Sequence, residues 1–162
     1  MAYNVFVSHS MAQEDVAIVW EAVRQARLRG VFCYMAERDW QFGNTLATKI
    51  EGAIEKCDCF VAFWTKGGAH SAFVNQEIGY ARRARKHRIL VVEKGVPLKG
   101  FDIGKEFIEL DRQDPFTAVN ILSTHLSHLS NLKSERERQQ EKAGLFVLGA
   151  ISLLLLARGG KK

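Results

Sequence analysis

The chain has 162 residues, 47% hydrophobic and 25% charged, with a formal net charge of +5, enough for one ordinary domain and little more. Residues 133–162 carry seven Lys or Arg and three Glu, so the positive excess sits in the C-terminal tail and the body before it is close to neutral. A nucleic-acid-binding body would carry a broad basic footprint, so no nucleic-acid partner is expected.

The first strand reads Tyr3-Asn4-Val5-Phe6-Val7 and closes on Ser8-His9-Ser10. Val16, Val19, Trp20 and Val23 follow at helical spacing, and Gly30 suits the position just past a helix end. Val31 to Met35 is a second strand. A polar stretch from Ala36 to Thr45 precedes a second helix marked by Leu46, Ile50, Ala53, Ile54 and Cys57. Cys59 to Trp64 is apolar almost throughout, the pattern of a strand buried on both faces. After a Gly67-Gly68 break, Ser71 is a candidate N-cap for a helix reaching about Lys86. Ile89 to Val92 and Phe107 to Leu110 read as fourth and fifth strands, and Pro115 to about Leu129 as the last helix of the body.

This alternation predicts an α/β fold: a five-stranded parallel sheet between helices, three layers in the flavodoxin-like manner. Cys33, Cys57 and Cys59 have no framework spacing and read as buried reduced thiols. Cys57-Asp58-Cys59 with His70 matches zinc-ligand spacing poorly, so no metal is expected.

The body is assigned to residues 1–130 and a polar, helix-prone linker to 131–142. Residues 143–158 form an apolar helix with a basic end at 158–162. Ala143 to Ala157 is 15 residues without a charge, about 22 Å as a helix against a bilayer core of roughly 30 Å. Two readings stand: a short tail anchor with Lys142 and Arg158 snorkelling, or an apolar helix buried in an oligomer or against the body. With no N-terminal signal peptide, the expected location is the cytoplasm, membrane-associated through the tail. The basic run from Arg82 to Arg88 reads first as a solvated helix end, and second as a contact for anionic lipid.

Three blocks, in order, resemble a known family. They are Val5-Phe6-Val7-Ser8-His9-Ser10 with Asp15; Gly30 and Val31 to Glu37, then Gly43, Leu46, Ile50, Ala53-Ile54 and Cys57-Asp58; and Ser71-x-Phe73-Val74-x-x-Glu77 with Ala81. Together they are similar to a prokaryotic TIR (Toll/interleukin-1 receptor) domain over residues 3–128, with Phe73 where the family usually has Trp. The resemblance implies cleavage of NAD⁺ at the nicotinamide–ribose bond, as an NAD⁺ glycohydrolase or ADP-ribosyl cyclase. It implies Glu77 as the catalytic residue, activation by self-assembly through TIR–TIR contacts, and service in antiphage or cell-death signalling. NAD⁺ is then substrate, and no cofactor is called for. A second reading is a non-enzymatic scaffold recruiting other TIR proteins at a membrane.

The residues suit that chemistry. Nicotinamide leaves as a neutral molecule, so no general acid is needed. Positive charge develops on the ribose, and a carboxylate is the group that meets it in glycosidases. Glu77 shares a helix face with Phe73 and Ala81 and should be partly desolvated there. Ser8 and His9 end the first strand at the same cleft; His9 is a candidate for phosphate or ribose, or a hydrogen-bonded structural residue. Arg38 is a candidate for phosphate, and Trp40 for stacking on a base or docking in a neighbouring subunit. Gly43, Ser71 and Phe73 complete the substrate-binding candidates, with Ser8 among them. The chain contains no G-x-x-x-x-G-K-[ST] and no G-x-G-x-x-G after the first strand, which argues against a P-loop or Rossmann site.

Overall fold

The structure is a computed structural model; it describes residues 2–35, 44–98 and 107–159, and for 44, 45 and 144–159 the backbone alone. Its elements are β1 (Tyr3–Ser8), α1 (Gln13–Leu28), β2 (Val31–Met35), α2 (Asn44–Lys56) and β3 (Cys59–Trp64). There follow α3 (Lys66–His70), α4 (Ala72–Arg83), β4 (His87–Glu93), β5 (Phe107–Leu110) and α5 (Pro115–Gly159). The strands form one sheet in the order β2-β1-β3-β4-β5, and every neighbouring pair is parallel. This is the expected flavodoxin-like architecture.

Strand alternation sorts the core into two clusters. Val5, Val7, Val61, Phe63 and Val91 face the α1–α5 layer and meet Val19, Val23, Leu122 and Leu126. Phe6, Phe60, Ala62, Trp64 and Val92 face the α2–α4 layer and meet Ile50, Ile54, Val74 and Ile78. Phe6 stacks on Phe60 with centroids 5.6 Å apart. β3 is buried along its whole length, which is why it reads as an unbroken apolar run. All three thiols are buried and free, and burial pushes Cys33 up to about 11.

Four details depart from expectation. Trp20 is exposed, because the buried stripe of α1 runs through Asp15, Val19, Ala22, Val23 and Ala26 instead. The Gly67-Gly68 break is itself the short helix α3, begun by Thr65, whose hydroxyl accepts from the Gly68 amide at 2.9 Å. A Cβ at Gly68 would collide with the carbonyl oxygen of Phe63, a backbone atom that cannot rotate away. Gly68→Ala is therefore expected to cost about 2 kcal/mol, read as a lower urea midpoint at unchanged slope.

The α4 helix ends at Arg83, earlier than expected. Arg85 lies at φ +53, and the amides of Arg85 and Lys86 return to the carbonyls of Arg82 and Ala81, a Schellman closure with arginine where glycine is usual. Arg85→Gly should raise stability by about 1 kcal/mol in denaturant unfolding. Finally, α5 does not stop near residue 129; its backbone continues unbroken through 131–142 to Gly159. Lys133 bonds to Asp58 at 2.8 Å and to the Ala2 carbonyl at 3.3 Å, at the amino ends of β3 and β1. About 26 further residues, roughly 39 Å of helix, follow that contact. Among the described residues no helix is long and apolar enough to cross a membrane.

Candidate active site

From β1 the chain moves out to β2 and then returns to place β3 on β1's other side. The strand order reverses between β1 and β3, and open α/β sheets bind ligands at the carboxyl ends of such a pair. Ser8 is the last residue of β1 and lies opposite Ala62 of β3. It shares the face of Phe6, toward α4, and its hydroxyl donates to Glu77 Oε2. Glu77 is 5% exposed, in a helix stripe whose other members, Val74, Ile78 and Ala81, are buried. An ionised carboxyl in apolar company is costly unless it is hydrogen-bonded. The Ser8 bond offsets part of that cost and fixes which way the carboxylate turns.

The helix carrying Glu77 is started locally. Ser71 Oγ accepts from the Val74 amide at 3.3 Å, so its hydroxyl caps α4. His9 is buried, with Nδ1 2.7 Å from the Ser10 carbonyl oxygen. A carbonyl only accepts, so Nδ1 carries the proton. Phe73 is 51% exposed, because the buried stripe centres on Val74 and Ile78 and leaves residue 73 at its margin. The structure thus brings Ser8 and Glu77 into contact, with His9 beside them in the chain. Arg38, Trp40 and Gly43 lie outside the described residues.

A second polar cluster occupies the same sheet edge on the opposite face. Asp15, 1% exposed, accepts from Ser10 Oγ, from Thr65 Oγ1 at 2.6 Å and from Arg112 Nη2 at 2.5 Å. Arg112 also grips Glu93, Nε to Oε1 at 2.7 Å and Nη2 to Oε2 at 3.0 Å. The Lys66 amide adds a bond to Glu93 at 2.9 Å. Burial pushes the Asp15 carboxyl up, but the Ser10, Thr65 and Arg112 contacts outweigh it and hold the group below its ordinary value. The Arg112 bond holds Glu93 below its own. A Cβ on Gly67 would stand 2.5 Å from Ser10 Oγ and 2.7 Å from Asp15 Oδ2, so only glycine admits this packing. The segment Ser8-His9-Ser10 is therefore held from both sides of the sheet, by Glu77 and by Asp15. Sequence reading missed the network, although Asp15 on the apolar stripe of α1, four residues before Val19, was a usable sign.

A parallel sheet in the order 2-1-3-4-5, with buried carboxylates gathered at its carboxyl edge, defines the class as a flavodoxin-like α/β domain with a candidate site at the switch point. Within that class the chain belongs to the TIR domain family, whose profile matches residues 5–122. No protein of curated function matches the chain in sequence. Among solved structures, the TIR domain of the Toll-related receptor TRR-2 from Hydra magnipapillata aligns at TM-score 0.60 and 16% identity, over 77% of this chain and 98% of that one. The CMP N-glycosidase BcmB of Clostridium botulinum aligns at TM-score 0.54 and 20% identity, over 74% and 97%. The TIR domains of the activated Roq1 resistosome, which recognises the pathogen effector XopQ, align at TM-score 0.50 and 15% identity, over 80% and 86%. At these identities the likeness is one of fold.

Proposed function

We propose that this chain cleaves the N-glycosidic bond between nicotinamide and ribose in NAD⁺, with Glu77 as the catalytic residue. The observation that carries the reading is a buried glutamate at the switch-point edge, oriented by Ser8. Two further facts support it: family membership, and a neighbour of the same fold named for N-glycosidase activity. As the bond breaks, nicotinamide takes the bonding electron pair and leaves neutral. The ribose carbon is left electron-poor, and a nearby carboxylate stabilises it. Shielded from water, that carboxylate acts through a lower effective dielectric than a surface one would. The oxygen of water or of a hydroxyl of the nucleotide itself then bonds to that carbon and its proton passes to solvent, giving ADP-ribose or a cyclic form.

Self-assembly through TIR–TIR contacts, and a role in antiphage or cell-death signalling, belong to this reading as the resemblance implies them. His9, Arg38, Trp40, Gly43, Ser71 and Phe73 are the remaining substrate-site candidates. The competing reading is a scaffold that recruits other TIR proteins without turnover. Concentrated protein incubated with NAD⁺ separates the two. Nicotinamide release by wild type that Glu77→Gln loses supports the enzyme, and silence of both across assembled states supports the scaffold.

A further inference from the structure

We infer that the amino edge of the sheet is a docking face for an anionic bilayer surface, holding the Glu77 edge away from that surface. This inference stands apart from the NAD⁺ reading and uses a different end of the molecule.

The helices α1, α2 and α4 end at the amino edge, where the strands begin. There the run 82–88 holds four arginines, Lys86 and His87 without an acidic residue, and Arg29 and Lys56 end neighbouring helices. Of the acids near that edge, Asp58 is paired with Lys133, while Glu55, which accepts from the Tyr80 hydroxyl at 2.6 Å, and Glu51 one turn back on α2 keep their charge and are outnumbered by the cations. The carboxyl edge has the opposite character. Glu14, Asp15, Glu77, Glu93, Asp111 and Asp114 gather there, with Lys66, Lys94 and Arg112 as cations among the described residues. Among the described residues the body is thus polarised along its strands although it is nearly neutral in sum.

Stabilising a helix end accounts for cations in the last turn of α4. It does not account for Arg85, which holds a left-handed position better suited to glycine, nor for Arg88, which lies within β4.

The occupant follows from α5. Lys86 bonds to the carbonyls of Glu55 and Cys57, and Lys133 bonds to Asp58. The basic run and the exit of α5 are therefore pinned to one turn, residues 55–58. Ten residues beyond Lys133 the sequence enters 15 positions without a charge. A basic cluster beside an apolar helix fits an anionic leaflet, whereas nucleic acid gives the apolar segment no role. Geometry adds a constraint. Ten helical residues are about 15 Å, against a screening length of about 8 Å at physiological salt. An upright α5 would hold the basic edge too far off, so α5 meets the surface obliquely. An apolar stretch of about 22 Å, too short to span a bilayer core of roughly 30 Å, allows that.

The test is co-sedimentation of the full chain with vesicles of phosphatidylcholine alone or with phosphatidylserine added. Full-strength binding is expected only with phosphatidylserine, falling as salt rises from 0.1 to 1 M. The double variant Arg83→Gln/Arg85→Gly should bind those vesicles about thirtyfold more weakly, while itself unfolding no lower than wild type. That pairing separates loss of charge from loss of fold. Equal binding to both vesicle types, no binding to either, or a double variant that binds like wild type would each overturn the inference. So would displacement from vesicles by micromolar duplex DNA, which would mark a general polyanion surface.

Discussion

Glu77→Gln is expected to lower the turnover of NAD⁺ by about a thousandfold while leaving the protein at least as stable as before. The two halves of that result come from one physical fact. Gln keeps the size of the side chain and an oxygen that accepts from Ser8, so the packing against Val74 and Ile78 is preserved. What it removes is the negative charge. A charge held in an apolar stripe at 5% exposure is a net burden on folding, so its neutral isostere should unfold at the same denaturant concentration or a higher one. On the proposed reading, the same charge faces the electron-poor ribose and lowers the barrier. Losing about 4 kcal/mol of such stabilisation corresponds to the thousandfold. Nicotinamide release and urea unfolding on the same sample read both halves. Lost activity with a lowered unfolding midpoint would instead mark Glu77 as a structural carboxylate. Ser8→Ala should act more mildly, by about tenfold, since it loosens the orientation of the carboxylate and leaves its charge.

Arg112→Met is expected to be the most destabilising of the substitutions considered, at about 3 kcal/mol, or a fall in Tm of about 10 °C. Arg112 is the one cation among the described residues bonded to both Asp15 and Glu93, whose side chains are 0% and 6% exposed. Removing it leaves two buried carboxylates facing each other. Arg112 itself is 27% exposed, so solvent screens part of the loss, and the estimate sits at the low end for breaking a buried pair. Lysine should restore little, because a point charge cannot make the two-pronged grip on Glu93.

The pH dependence has a definite sign. Both carboxyls are held below their ordinary values in the folded state, so their contribution to stability is complete above about pH 5 and is lost progressively as pH falls through the ordinary carboxylate range and then the lower folded values. The gap in unfolding free energy between wild type and Arg112→Met should therefore be widest near neutrality and narrow steadily as the pH falls below about 5. A gap independent of pH would show that lost packing of the arginine stem dominates.

The sheet was legible because its strands announce themselves in short apolar runs. Cys59 to Trp64 and Phe107 to Leu110 match the observed strands residue for residue. The burial of Glu77 was half legible: the sequence places it on a face with Phe73 and Ala81, of which Ala81 is buried and Phe73 is not, and the stripe that encloses it runs through Val74 and Ile78. What stayed hidden depends on partners distant in the chain. Asp15 and Arg112 are 97 residues apart, and nothing local to either names the other. Trp20 fits the spacing of α1's stripe, yet the side of α1 that meets the sheet is set by Val19, Val23 and the buried Asp15. Phe73 is one position off the stripe that its neighbours define, a distinction of about 100° around the helix that short motifs do not resolve. The end of α5 was misplaced because a polar helical stretch looks the same in sequence whether it frays or continues.

That unbroken backbone turns residues 131–142 into a rigid axle. Each residue added or removed there rotates whatever follows by about 100° relative to the sheet, whereas seven residues return it nearly to its starting angle. The orientation of the tail about its own axis is therefore encoded in the residue count of that stretch, a quantity to which a slack tether would be indifferent.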